Sequence, residues 1–240
     1  MIQPRVNFAD RQATHPASGF CDWLRSSSGP LWGAMVGHRF TQDMANDRLP
    51  PDVFIRYLRY EHAFVRTAVI IFGHALVAAP TLADRVRLVG ILSSLAGEQE
   101  AYFRQRFDAL GLATETLPES ELPDAALALA EGALAIAAHG TFEAILSTML
   151  AAEWMYHEWC TAAHAAAPQT AGPAEWIALH VRPGFSDQVA WLKERVDLLG
   201  PMLDPTRQNR CADNFVRMLR LEIAFHHAPY DGSGSSGAAG

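Results

Sequence analysis

The chain has 240 residues, half of them apolar, and a formal net charge of −7. That length and composition suit one well-cored globular domain, and the acidic balance, with arginines scattered along the chain and a single lysine, Lys193, argues against a nucleic-acid partner. Three cysteines, Cys21, Cys160 and Cys211, odd in number and without a CxxC spacing, exclude a disulfide framework and a thiolate zinc site and point to reduced thiols in the cytoplasm.

Residues 1–17 form an N-terminal extension with Arg5, Asp10 and Arg11 where a signal peptide would need an apolar stretch. From there to residue 231 nearly every long segment has helical periodicity, and no alternating strand pattern occurs. The periodicity predicts helices over 18–27, 31–44 and 53–78, separated by Gly29-Pro30 and by Leu49-Pro50-Pro51. Thr81 should cap a helix over 82–110 that Gly111 closes. Further helices are expected over 124–139 and over 141–167, the latter capped by Thr141. A helix over 174–199 has a break at Pro183-Gly184, and a last helix over 207–227 is stopped by Pro229. About eight helices joined by short loops predict a single all-α bundle over 18–231. Residues 232–240 are all Gly, Ser and Ala, a flexible tail. No apolar run approaches ~18 residues without a charged or polar break, so no membrane-spanning helix and no membrane partner are expected.

The chemistry lies in carboxylates that interrupt apolar helix faces. Glu153 sits mid-helix in Ala151-Ala152-Glu153-Trp154-Met155-Tyr156-His157, on one face with Met149, Tyr156, His157 and Cys160. Glu61 shares a face with Tyr57 and Phe64, and Glu222 with Met218, Phe225 and His226. A buried charge is costly unless something pairs with it. One such residue is a stripe-edge residue paired with an arginine. Three, each flanked by aromatics, fit a shared pocket for an amine-bearing aromatic ring, since carboxylates accept from its N–H edge and rings stack on its face. Crowded carboxylates also raise each other's pKa and supply an acid or base near neutral pH. Glu153/His157 and Glu222/His226 are spaced i, i+4, whereas di-iron bundles use Glu-x-x-His, so no metal and no cofactor are expected. Cys160 reads as a core thiol.

In order and spacing the chain resembles the TenA/thiaminase II family, over about residues 20–230. Leu31-Trp32 to His38-Arg39-Phe40 resembles its "LW…HPF" opening. Asn46 to Pro50 followed by Phe54, Tyr57 and Leu58 resembles "dGtLp…F..YL". Glu100 to Gly111 resembles the "E..hf…lG" helix, Trp176 to His180 with Phe185 resembles "WI..Y….F", and Leu221 to Phe225 resembles "lE..Fw". The resemblance implies a haem-oxygenase-like bundle, a homodimer or homotetramer, and hydrolysis of an aminopyrimidine in thiamin salvage. Where one branch has Pro-Cys four residues before the central tyrosine, this chain has Ala151 and Ala152 before Tyr156, and residues 124–138 lack the family's tyrosine. Glu153 and His180 match the Cys-less branch, TenA_E. By resemblance Glu61 stands where the family's pyrimidine-binding Asp stands and Glu222 is the C-terminal catalytic Glu. Glu153 and Glu222 are the expected catalytic pair, and Glu61, Phe64, Tyr57, Tyr156, His180 and Phe225 the expected substrate-binding set. A non-catalytic pyrimidine-binding or regulatory homologue, and a haem-oxygenase-like oxidase, cofactorless or di-iron, are the other readings left open.

Overall fold

The computed structural model describes residues 6–113 and 117–231, so the tail at 232–240 and part of the turn before Pro123 lie outside the described residues. The described residues form helices α1 (Phe8–Thr14), α2 (Phe20–Ser27), α3 (Leu31–Val36), α4 (Arg39–Ala45), α5 (Pro51–Ala78), α6 (Leu82–Ser94), α7 (Glu100–Ala109), α8 (Asp124–His139), α9 (Phe142–Ala165), α10 (Pro173–Leu179), α11 (Pro183–Leu199) and α12 (Pro205–Asp231), with no strand among them. The all-α expectation holds, and the larger helix number comes from three breaks inside expected helices and from α1 in the N-terminal extension.

Each break has a local cause. The 31–44 segment divides at Gly37-His38, where the His38 ring nitrogen Nδ1 accepts from the Phe40 N–H and starts α4. The 174–199 segment divides at the expected place, because Pro183 opens α11 with its fixed φ and its missing N–H. The 82–110 segment keeps its direction but carries a π turn at Leu95–Gln99 between α6 and α7. Thr81 caps α6 through the Asp84 N–H, as expected. Gly111, at φ +65°, closes α7 while the Leu112 N–H reaches back to the Phe107 carbonyl. Two expectations are corrected. Thr141 does not cap α9 through the backbone; its hydroxyl donates to the Glu143 carboxylate instead. Pro229 does not stop α12, which runs on to Asp231, and the Pro229 carbonyl accepts from Arg56 Nε at 2.6 Å.

The centre of the bundle is α9. Every residue from Phe142 to Tyr156 is buried, as a helix apolar on all sides must be, and α12, α11, α5, α10, α8, α4 and α3 surround it. Among the described residues α5 alone has the length and composition of a membrane span. Its stripe from Val53 through Tyr57, Leu58, Glu61, Val65, Ile71, Phe72 and Ala75 is buried and faces α6, α8 and α9. The segment before residue 18 also joins the core: Phe8 is buried edge-on to Phe20 at 5.0 Å, and Trp23 Nε1 donates to the Val6 carbonyl.

Candidate active site

Three long helices, α5, α9 and α12, each bring one glutamate to the same point. Glu61, Glu153 and Glu222 are 5%, 9% and 1% exposed and line one cavity of about 30 Å³ with Phe64, Met149, Ala152, Tyr156 and His180. No arginine or lysine lines it. The spacing that puts Glu153 and Tyr156 on one face of α9 aims both inward, and α5 supplies Glu61 and Phe64 in the same way.

A short relay ties the aromatics to the acids. Tyr156 Oη donates to Glu61 Oε2 at 3.1 Å. With that proton committed, Tyr57 Oη must be the donor in its 2.9 Å contact with Tyr156 Oη. Burial pushes the Glu61 pKa up to about 7, and the tyrosine hydrogen bonds hold it from rising further. Glu153 is pushed up to about 8 by burial and then by the charge of Glu61, against a stabilising hydrogen bond from Gln188. Glu222 is raised well above its ordinary value, by burial and then by Glu61 and Glu153, and neither of its carboxyl oxygens has a hydrogen-bond partner. Its 3.5 Å approach to His226 Nδ1 is not an ion pair. That nitrogen donates to the Glu222 backbone carbonyl at 2.8 Å, and burial drives the imidazole pKa down to about 3, so the ring is neutral. All three acids therefore hold their protons well above the ordinary carboxylate range, and they differ in their partners: Glu61 has Tyr156, Glu153 has Gln188 and Glu222 has none.

His180 is neutral by the same physics. Burial lowers its pKa to about 4, Nδ1 donates to the Trp176 carbonyl, and its ring stacks on Tyr156 at 5.1 Å. Of the eight expected site residues, six line the cavity: Glu61, Glu153, Glu222, Phe64, Tyr156 and His180. Tyr57 and Phe225 stand behind it. Tyr57 acts through Tyr156, and Phe225 is wholly buried, edge-on to Tyr57 at 6.0 Å. The Glu153/His157 pair does not form, since His157 Nε2 contacts Ser186 Oγ at 3.0 Å. No cluster of three or more His, Cys, Asp or Glu suited to a metal occurs among the described residues.

Sequence reasoning did not place several wall residues, among them Val65 and Ala68 of α5. Leu95 and Gln99 come from the two ends of the π turn, and Phe185 from the first turn of α11. It also missed Gln188, the hydrogen-bond partner of Glu153. Their signals were a glycine, Gly97, inside a helical run and a buried amide three residues after Phe185.

The TENA/THI-4/PQQC family profile matches residues 25–232. A TenA homologue from Pyrococcus furiosus is 18% identical over 88% of this chain and all of its own, with a TM-score of 0.81. A protein from Silicibacter sp. TM1040 described as a TenA family transcription regulator is 20% identical over 90% of this chain and 98% of its own, also at 0.81. A domain of unknown function with a heme oxygenase-like fold, from Shewanella denitrificans OS217, is 12% identical over 90% of this chain and 97% of its own, at 0.69. The likeness to these structures is one of fold. A search of curated proteins finds no match.

Proposed function

The chain belongs to the TENA/THI-4/PQQC family, and from that premise we propose that its cavity hydrolyses the C–N bond of an aminomethylpyrimidine. Water displaces the amine at the exocyclic methylene: one C–N bond breaks, one C–O bond forms, and the hydroxymethylpyrimidine and ammonia leave. The observation that carries this reading is three buried carboxyl groups on one cavity, one of them with both oxygens unpartnered. Leaving buried polar atoms unpaired costs about 1–3 kcal/mol each, a cost that a ligand's N–H groups would remove.

The different partners of the three acids assign roles. Glu61, whose charged form the Tyr156 hydroxyl stabilises, accepts from the amino edge of the pyrimidine, while Phe64 and Tyr156 flank its ring. Glu222, buried without a partner and with its pKa raised well above the ordinary value, protonates the leaving amine. Glu153, held near neutrality and oriented by Gln188, takes a proton from the attacking water. The neutral imidazole of His180, stacked on Tyr156, fixes that ring. Ala152 puts a methyl group where the thiol-bearing branch has its nucleophile, and the nearest thiol in sequence, Cys160, is wholly buried with its pKa raised by desolvation. Water is therefore the nucleophile.

Turnover of 4-amino-5-aminomethyl-2-methylpyrimidine is the test. Glu153→Gln and Glu222→Gln should each lower kcat by about 10²–10⁴-fold, the range of a general acid or base; unchanged rates in both variants refute the assignment. Thiamin should be cleaved far more slowly than the aminopyrimidine, and rapid cleavage would overturn the Cys-less reading. Tight pyrimidine binding without any product would establish a regulator instead. The same reading carries the expected homo-oligomer, for which Val77, Leu82 and Val86, exposed around the α5–α6 corner, offer apolar surface. Sedimentation as a monomer would exclude it.

A further inference from the structure

A second chamber, of about 450 Å³, opens beside the carboxylate cavity. The two share Leu95, Gln99 and Phe185 as a common wall, and Gln188, the partner of Glu153, also lines the outer one. The chambers have opposite chemical character. The inner one holds three carboxyl groups and no cation. The outer one carries the guanidinium groups of Arg87 and Arg182 against one carboxylate, the exposed Glu98, in a chain whose net charge is −7.

Neither guanidinium is used by the fold. Arg87 Nε is buried with no hydrogen-bond partner, and no carboxylate pairs with either arginine among the described residues. Its neighbours on α6 are engaged: Asp84 pairs with Arg195 at 2.8 Å, and Arg85 donates to the Ala79 carbonyl. Arg182 stands at the N-terminal cap of α11, where the helix dipole adds to its positive field. Guanidinium groups bind carboxylate and phosphate through paired N–H donors. The chamber is several times larger than the inner cavity and has room for such a group on a flexible arm.

We propose that the outer chamber binds an oxyanion, a phosphoryl or carboxylate group, carried on the leaving-amine side of the substrate, so that the natural substrate is an N-substituted aminomethylpyrimidine with an acidic tail. This rests on the reading of the inner cavity as a pyrimidine site. A ring held by Glu61, Phe64 and Tyr156 and cleaved between Glu153 and Glu222 directs its leaving group past Gln188 and Phe185, towards Arg87 and Arg182. Glu98 at the rim offsets part of the charge of the two arginines, which favours a single acidic group over a polyphosphate.

Two measurements test the proposal independently. In the first, inorganic phosphate alone is compared with chloride at matched ionic strength. Phosphate should raise the Tm of the wild type and not that of Arg87→Gln/Arg182→Gln; equal effects on both proteins overturn the site. In the second, three congeners of the aminomethylpyrimidine, bearing N-(2-hydroxyethyl), N-(2-carboxyethyl) and N-(2-phosphoryloxyethyl) tails, are compared by kcat/KM and by calorimetric binding. The wild type should favour at least one acidic tail over the hydroxyethyl tail by about tenfold or more, and the double variant should bring that ratio close to one. A preference for the phosphoryl tail alone identifies a phosphate arm, and a preference for both a general oxyanion site. A wild type that treats the three tails alike, or a preference that survives in the double variant, overturns the proposal. If phosphate binds through the two arginines and no congener is turned over, the hydrolase reading fails while the oxyanion site stands.

Discussion

At the scale of single residues, the three buried carboxyl groups are set apart by their partners. Glu61 differs from Glu153 and Glu222 in one respect that the geometry makes explicit: it accepts a hydrogen bond from Tyr156, which is itself fed by Tyr57. A hydrogen bond donated to a carboxylate favours its charged form. Tyr156→Phe should therefore raise the Glu61 pKa above about 7 and move the rising limb of the pH–kcat/KM profile to higher pH, with KM for the pyrimidine rising more than kcat falls. A profile unchanged by the substitution would place the binding charge elsewhere. The three glutamates were legible in the sequence because carboxylates are conspicuous on apolar stripes. Their different hydrogen-bond partners were not, because Tyr57 reaches Glu61 through Tyr156, across helices far apart in the chain.

At the scale of elements, the site depends on irregularities that periodicity hides. The 82–110 segment reads as one continuous helix. The π turn at Leu95–Gln99 inserts one extra residue, and with it Leu95 and Gln99 both face the wall between the two chambers. A π turn inside a helix frequently marks a functional site. Deleting Gly97 should restore a regular turn and rotate one flank by about 100°, the angle per residue of an α-helix. Helix content by circular dichroism should then persist while turnover falls by at least tenfold; retained turnover would show that the irregularity has no role. The α5, α8 and α9 boundaries were readable from proline, glycine and stripe patterns. The break at Gly37-His38 and the continuation of α12 past Pro229 were not, since one depends on a histidine ring capping a backbone N–H and the other lies at a helix end where tertiary contact overrides propensity. Gly200 shows the same dependence on contact: a Cβ there would lie 2.2 Å from the Phe20 ring. Gly200→Ala should cost about 1–3 kcal/mol by overfilling the core and lower Tm by several degrees, readable by calorimetry.

At the scale of the whole molecule, the buried acids and buried histidines make stability depend on pH in opposite directions. The folded pKa values of Glu61, Glu153 and Glu222 lie above their ordinary value. Above pH ~4.5 the unfolded chain releases protons that the native state retains, so each acid makes the fold less stable as pH rises through its folded pKa. His180 and His226, lowered to about 4 and about 3, do the reverse. Below pH ~6.5 the unfolded chain takes up protons that the native state refuses, and stability falls as pH drops. Between about pH 4.5 and 6.5 the two sets oppose one another; above that range the acids act alone. Tm of the ligand-free protein should therefore fall gently across that window, where three acids face two histidines, and more steeply above it, at roughly 1.4 kcal/mol per pKa unit for each acid still protonated in the native state. Glu222→Gln, which keeps the shape and removes the proton, should flatten the alkaline fall and raise Tm at pH 8 while abolishing turnover. A bound pyrimidine amine should flatten it too, because its N–H groups stabilise the carboxylates that the empty cavity destabilises. A Tm that rises from pH 6.5 to 8 in the wild type would mean that the three acids do not share one cavity, and with that the hydrolytic site would lose its basis.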